Sequence, residues 1–172
     1  DGTVQVSTGG TEMGQGLNTK IRQLVADEFA ISYDDVRIMI TSTEKNNNTP
    51  PTAASAGTDL NGMAALNACR KIRKNLTEFA SSYLLPPDSG LDPSPENIIF
   101  ENGTIYDDRS KSRFPENKIT FGELVKLAFM ERISLGERGF YGTPEIDFNR
   151  ETEKGEPFFL LHNRSLSFRS AD

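Results

Sequence analysis

The sequence is poor in the side chains that most often hold metals or act as nucleophiles. Its 172 residues include one cysteine, Cys69, one histidine, His162, and no tryptophan. A single cysteine excludes a disulfide within the chain, and it excludes an iron–sulfur cluster or zinc site held by the chain's own thiolates. Cys69 falls in a buried helical stripe, so we predict core packing for it, and we predict a solvated tail around His162.

Positive charge and long apolar runs are also scarce. The chain carries 19 Lys and Arg against 25 Asp and Glu, a net charge of −6, and its scattered basic residues argue against nucleic acid as a partner. No apolar run approaches the roughly 18 residues of a membrane span, so we expect no membrane segment. The low cysteine content favours the cytoplasm. The chain opens in mid-pattern without an initiator Met, which we interpret as a piece of a longer protein.

The apolar pattern predicts helices and strands in one α+β domain. Alternation from Thr3 to Thr8 predicts a strand, helical spacing from Leu17 to Phe29 a helix, and Val36 to Thr41 a second strand. A long helix is predicted to begin near Thr58, with a regular apolar stripe at Ala65, Cys69, Ile72, Leu76, Phe79 and Tyr83. The fold class is therefore α+β, with strand–helix–strand units and two long helices packed on a mixed sheet.

The second half of the chain predicts a hairpin and a third helix. The hairpin spans Ile98 to Tyr106 around the turn Asn102-Gly103. The helix runs from Thr120 to Arg132, with Glu123 in its first turn. Its buried side is predicted to hold Phe121, Leu124, Val125, Ala128 and Phe129. We interpret Asp34-Asp35 and Asp107-Asp108 as turns.

Two segments of small residues stand where helices begin. "GGTEMGQG", residues 9–16, joins the first strand to the first helix, and "TAASAGT", residues 52–58, precedes the long helix. The unpaired N–H groups and the dipole of a helix start favour an anion, and glycine lets a ligand approach the backbone. The pattern predicts a phosphate-bearing ligand or a polar heterocycle. A tight connection and close helix packing remain alternatives, and neither segment completes a standard nucleotide motif.

The two segments together resemble the xanthine dehydrogenase/aldehyde oxidase family of molybdenum hydroxylases. "GGTEMGQGLNTK", residues 9–20, is similar to the family signature G-G-x-E-x-G-Q-G-x-x-T, and "NTPPTAASAGTDLNGMAALNAC", residues 48–69, to its second cofactor segment. Residues 139–144 and 155–158 are similar to a stretch further downstream. The resemblance implies molybdopterin bound by hydrogen bonds, without protein ligands to molybdenum. Its contact residues would be Met13, Gly14, Gln15 and Gly16 in the first loop, and Ala54, Ser55, Ala56 and Gly57 in the second.

The resemblance also implies a reaction. Oxidoreductases of this family hydroxylate an electron-poor C–H bond of purines, other N-heterocycles or aldehydes, with oxygen taken from water. The family's general base is a glutamate in a Gly-Glu-Pro motif, and residues 155–157 have that sequence. "ETEKGEPFF" closely follows "GFYGTPE", however, which places Glu156 in an earlier, non-catalytic stretch. We therefore assign no catalytic residue and no metal ligand to this chain.

The organisation that the resemblance implies is an incomplete molybdopterin-binding domain over residues 1–159, with an atypical C-terminal tail at 160–172. The rest of the molybdenum-binding region, FAD and 2Fe-2S clusters would lie in partner subunits or in sequence beyond this chain. We expect the chain to belong to a hetero-oligomer and to be inactive when isolated. We also expect its exposed apolar surface to associate with a second copy or with a partner. Whether the cofactor carries an added cytosine nucleotide stays open. So do a truncated structural or interaction remnant and an unrelated phosphate or nucleotide binder.

Overall fold

The fold is known from a computed structural model that describes residues 2–42, 44–45, 49, 51–53, 56–85, 90–109, 117–143, 147–152 and 154–156. The chain forms two compact units, Asp1–Tyr141 and Gly142–Asp172. Among the described residues, no helix is both long and apolar enough to cross a membrane.

The first unit opens with a strand–helix–strand unit, as predicted. Strand β1 (Val4–Val6) and strand β2 (Val36–Ile38) pair in parallel, with Val4 opposite Val36. Helix α1 (Leu17–Phe29) provides the crossover that a parallel pair requires. Both strands are shorter than the alternating pattern predicted.

Helix α2 (Ala56–Tyr83) packs against α1 and is the longest element, with 28 residues. It begins at Ala56, two residues before the predicted start. Cys69 is 5% exposed on its inner face, so the predicted core packing is confirmed. Tyr83 was expected to be buried at the end of the same stripe but is exposed, and its ring stacks on that of Phe79 with centroids 5.7 Å apart.

A three-stranded antiparallel sheet follows, in the order β3 (Ile98–Glu101), β4 (Thr104–Asp107) and β5 (Lys118–Thr120). The predicted hairpin is confirmed, and its turn residues Asn102 and Gly103 have φ of 49° and 73°, as a type I′ turn requires. Asp107 does not lie in a turn as predicted. It is the last residue of β4, is fully buried, and pairs with Arg109 at 2.7 Å between carboxylate and guanidinium.

Helix α3 (Phe121–Met130) begins directly after β5 and buries Phe121, Leu124 and Ala128. The Phe121 ring meets that of Phe29 on α1, with centroids 5.4 Å apart, and so joins α3 to the core. Phe129 was predicted to be buried but is 71% exposed. It lies beside the buried row on the helix surface, on a side that no element covers among the described residues.

Residues 134–140 run along α2 and are held by three of its side chains, spaced one helical turn apart. Asn67 Nδ2 donates to the carbonyl of Phe140 at 2.9 Å, and Lys71 Nζ donates to that of Arg138 at 2.9 Å. Asn75 Nδ2 donates to the carbonyl of Ser134 at 3.1 Å. A Cβ at Gly139 would overlap the carbonyl oxygen of Ala64, so glycine is required for this approach.

In the second unit, β6 (Asp147–Asn149) pairs antiparallel with β7 (Lys154–Glu156). The α+β class is confirmed. The single mixed sheet that we expected is not formed by the described residues, because the parallel pair and the antiparallel strands belong to separate sheets. The predicted tail at 160–172, with His162, lies outside the described residues, and the boundary at residue 159 stays a prediction.

Candidate functional site

The starts of α1 and α2 lie against each other, so the two segments of small residues meet. The backbone N–H of Thr11 donates to Oγ1 of Thr52 at 2.8 Å, which joins the first loop to the second segment. A Cβ at Gly57 would stand 3.3 Å from Cδ2 of Leu17, the first residue of α1. Ala54 and Ser55 lie outside the described residues. The predicted residues that are described, 13–16 and 56–57, therefore flank one contact between two helix starts.

The four glycines of the first loop have two different environments. A Cβ at Gly9 would overlap the Thr49 side chain, and one at Gly10 would stand 2.6 Å from a methyl of Leu17. These two glycines allow close packing, as the alternative interpretation of the sequence proposed. Gly14 and Gly16 have φ of 98° and 76°, and apart from their chain neighbours no atom of the described residues lies within 4 Å of the position that a Cβ would take. They form a stretch of backbone without side chains that is exposed at Gly14 and half-buried at Gly16.

The N–H groups at the start of α1 are bound by a carboxylate of the chain itself. Oε1 of Glu12 accepts from the N–H of Gly14 at 2.9 Å and of Gly16 at 3.0 Å, and Oε2 accepts from Asn18 at 2.9 Å. The Asn18 N–H, above all, holds the pKa of Glu12 below its ordinary range. The expectation that this helix start offers these amides to a phosphate is wrong.

Gln15 closes the same loop from the other side. Its Oε1 accepts from the Met13 N–H at 2.6 Å, and its Nε2 donates to the Thr11 carbonyl at 2.8 Å. The Met13 side chain is 67% exposed. The first loop is therefore an internally bonded structure that presents Met13 and the backbone of the two bare glycines to the outside.

The second segment is less open than its small residues suggested. Ala56 begins α2, and Gly57 faces the Leu17 side chain, so the missing side chain at Gly57 accommodates α1. In the first turn of α2, Oδ2 of Asp59 is buried without a hydrogen-bond partner among the described residues, and burial raises its pKa. Oδ1 of Asn18, in the first turn of α1, is also buried, and no described residue hydrogen-bonds to it. The sequence predicted Asp59 as part of a capping pair with Thr58, but it predicted neither Asp59 nor Asn18 as a buried group without a partner.

A cavity of about 560 Å³ lies in the first unit, between β1, α2 and residues 135–139. Of the residues predicted to bind cofactor, those that the structure describes, 13–16 and 56–57, do not line it. Thr8 does line it, and the Thr8 hydroxyl is buried without a hydrogen-bond partner among the described residues. Gly9, at the start of the first loop, also lines the cavity, so the cavity adjoins the base of the loop but not its described contact residues.

Comparison with known proteins identifies the family. The family model described as a molybdopterin cofactor-binding domain matches residues 1–167. The chain belongs to this family. This molybdopterin cofactor-binding domain is 38% identical to the xanthine dehydrogenases of Oryza sativa subsp. japonica and Dictyostelium discoideum over 161 residues. It is 36% identical to the xanthine dehydrogenase/oxidase of Gallus gallus over 158 residues. The predicted resemblance to xanthine dehydrogenase-type molybdenum hydroxylases is confirmed.

The matches cover most of this domain and little of its relatives. The Oryza match spans 94% of the chain but 9% of the relative. Among solved structures, CO dehydrogenase from Oligotropha carboxidovorans superimposes with a TM-score of 0.66 and 22% identity, over 83% of this chain and 17% of that one. Quinoline 2-oxidoreductase from Pseudomonas putida 86 gives 0.63 and 22%, over 82% and 17%. These structures support the fold.

Proposed function

We propose that this chain supplies part of the pterin-contacting surface of a xanthine dehydrogenase-like molybdenum hydroxylase. The observation that carries the proposal is the exposed loop at residues 13–16, joined to the second segment by the Thr11–Thr52 hydrogen bond of 2.8 Å. Met13, Gly14, Gln15 and Gly16 would form one side of the contact, and Ala54, Ser55, Ala56 and Gly57 the other. All eight assignments rest on the family resemblance, and those at residues 13–16 and 56–57 rest on this placement as well.

The exposed loop suits a flat, hydrogen-bonding heterocycle better than a phosphate. With no side chain on Gly14 or Gly16, a ring can approach the backbone closely. The Glu12 carboxylate already occupies the N–H groups of Gly14, Gly16 and Asn18, and its negative charge opposes an anion at the same place. We therefore propose that these residues contact the ring system of the cofactor and that its phosphate lies away from Glu12.

The bound cofactor would supply the redox centre at which a substrate C–H bond is exchanged for a C–O bond, with oxygen from water. This chain would contribute binding and orientation only, because we assign it no acid, base or metal ligand. The remaining molybdenum-binding region, FAD and 2Fe-2S clusters would come from partner subunits or further sequence, in a hetero-oligomer. Purines, N-heterocycles or aldehydes as substrates, the cytosine dinucleotide form of the cofactor and a cytoplasmic location remain predictions.

Two glycines with the same backbone conformation provide a matched test. Gly16 and Gly103 have φ of 76° and 73°, and at both the Cβ position is open with respect to the described residues. Leucine at either position carries a similar backbone strain, but only Gly16→Leu places a side chain on the proposed contact surface. Pterin fluorescence and molybdenum per protomer are measured in the complete protein that contains these residues.

We expect Gly16→Leu to lose bound pterin and Gly103→Leu to retain it. Equal retention or equal loss in the two variants would contradict the assignment of Gly16. Wild-type protein without pterin or molybdenum would instead support the alternative of a structural or interaction remnant.

A further inference from the structure

We infer that Glu12 is a positioning residue for the cofactor loop, because its carboxylate fixes the backbone of residues 13–18, which presents Met13 and the two bare glycines. The inference rests on the proposed function of this loop. It assigns a role to a side chain that need not touch the cofactor itself.

The geometry makes Glu12 the side chain that closes the start of α1. The helix begins after Gly16 in a left-handed conformation, and the cap residue itself provides no side-chain hydrogen bond. Glu12 replaces such a cap from four positions upstream, since its two oxygens accept N–H groups of Gly14, Gly16 and Asn18. One carboxylate thus holds both left-handed glycines and the first helical turn.

The loop has little else to keep it in this conformation. Residues 11–15 are exposed, and no other part of the described chain packs against the open sides of Gly14 and Gly16. Glycine populates left- and right-handed conformations about equally, so these two positions would move freely without a restraint. Gln15 supplies a second brace, to Met13 and Thr11, but neither of its hydrogen bonds restrains the N–H of Gly14 or Gly16. Without Glu12, cofactor binding would have to order the loop, and affinity would fall.

The required side chain at position 12 is narrowly defined. A carboxylate accepts on both oxygens, whereas the amide of glutamine has one acceptor oxygen and an NH2 group that cannot accept from Asn18. Aspartate keeps the charge but is one methylene shorter, so it cannot span the same three N–H groups. Glutamine should therefore retain part of the restraint, and alanine should retain none.

The chain offers a matched control at α3. Glu123 also holds a helix start, since its Oε2 accepts from the Thr120 N–H at 3.1 Å, but it belongs to a different helix and to no proposed contact surface. Alanine at Glu123 loses a helix-start carboxylate of the same kind. A general effect of lost helix stability should appear in both variants, and an effect of loop positioning only in Glu12→Ala.

The experiment compares Glu12→Gln, Glu12→Ala and Glu123→Ala with the wild type in the complete protein. Pterin and molybdenum per protomer are measured at matched folded fractions. Hydrogen exchange is measured at the amides of Gly14, Gly16 and Asn18. For Glu12→Ala we expect affinity for the cofactor to fall by about tenfold or more, the scale seen when outer partners of a bound group are removed. Exchange should be faster at the three amides, with Glu12→Gln intermediate in both measurements and Glu123→Ala like the wild type.

Each outcome decides the inference. Equal pterin loss in Glu12→Ala and Glu123→Ala would overturn it, because general stability would then explain the effect. Normal pterin content in Glu12→Ala would also overturn it, while the proposed function would stand. Wild-type protein that binds no pterin would refute the proposed function, and the inference with it.

Discussion

Helices α1 and α3 each begin beside a glutamate, but the two carboxylates reach the helix start from opposite directions. In α3, Glu123 lies inside the first turn and bonds back to Thr120, whose own hydroxyl accepts from the Glu123 N–H at 3.3 Å. In α1, Glu12 lies before the helix and reaches forward to the N–H of Asn18 at 2.9 Å. Both place negative charge at the positive end of a helix dipole.

The difference determines what surface each helix start presents. The cap of α3 is completed within four residues and continues directly from β5, with Thr120 at an ordinary extended φ of −74°. The cap of α1 encloses a loop whose two glycines have positive φ and whose outer side is bare. A cap inside the helix closes it compactly, whereas a cap reaching in from outside builds an exposed loop. Only the second arrangement leaves backbone for a ligand to approach.

The largest loss of stability is expected at the first residue of each helix, because both residues are buried. Leu17 and Phe121 are 1% and 5% exposed. We expect Leu17→Ala to cost about 2–5 kcal/mol and Phe121→Ala about 3–5 kcal/mol in the free energy of unfolding. Urea denaturation measures both, with exposed Ile40→Ala as a control expected to stay within about 0.5 kcal/mol. If Leu17→Ala behaved like the control, the α1 start would not be packed as described.

Substitutions at the two cap residues, Gly16 and Thr120, should cost less stability, and for different physical reasons. Alanine at Gly16 has to adopt a left-handed conformation, at a cost of about 1–2 kcal/mol, whereas Thr120→Ala loses a side-chain cap worth about 1 kcal/mol. Asparagine tolerates the left-handed conformation, so Gly16→Asn should cost less stability than Gly16→Ala. At Thr120, asparagine can cap the helix with its side chain, so Thr120→Asn should also cost less than Thr120→Ala. Unfolding free energies of the four variants test this pattern. Equal costs for alanine and asparagine at Gly16 would contradict the left-handed conformation.

The same comparison shows how far the sequence alone could predict the structure. The cap of α3 was predictable, because Thr120 and Glu123 stand at the fixed spacing of a capping box. The hairpin at Asn102-Gly103 was predictable for the same reason, since local backbone preference decides it. The cap of α1 was not, because its contacts depend on positive φ at Gly14 and Gly16, which the sequence permits without requiring.

Contacts between distant segments were also beyond the sequence. The α2 side chains that hold residues 134–140 look like an ordinary solvated helix face, and only the fold brings that segment to them. Phe129 was assigned to the core by its spacing, but which neighbours cover a helix is a tertiary property. For the site, the contact residues stay a prediction from the resemblance, whereas the expectation of free amides at the start of α1 is wrong because the Glu12 carboxylate, six residues before Asn18, binds them.

Acid should reduce the stability that both capping carboxylates contribute. Hydrogen bonds hold the folded-state pKa of Glu12 and of Glu123 below the ordinary value of 4.5, chiefly from the Asn18 N–H and the Thr120 hydroxyl respectively. Each carboxylate therefore contributes stability above that value, and the contribution is lost as pH falls through and below it. The stability difference between wild type and Glu12→Gln or Glu123→Gln should shrink from about pH 7 to about pH 3. A difference that grows on acidification would contradict the hydrogen bonding at that glutamate.

The smallest expected effect is on the labelling rate of the buried thiol Cys69 when either helix cap is removed. Burial raises the pKa of the Cys69 thiol on α2 to about 12, so a thiol reagent that needs the thiolate should not label the folded protein near neutral pH. We expect Glu12→Ala and Glu123→Ala to label at the rate set by global unfolding and no faster, because each cap lies at a helix end. If Glu12→Ala labelled faster than Glu123→Ala at matched stability, freeing the α1 loop would also open the α1–α2 contact. Glu12 would then hold the packing of the two helices as well as the loop.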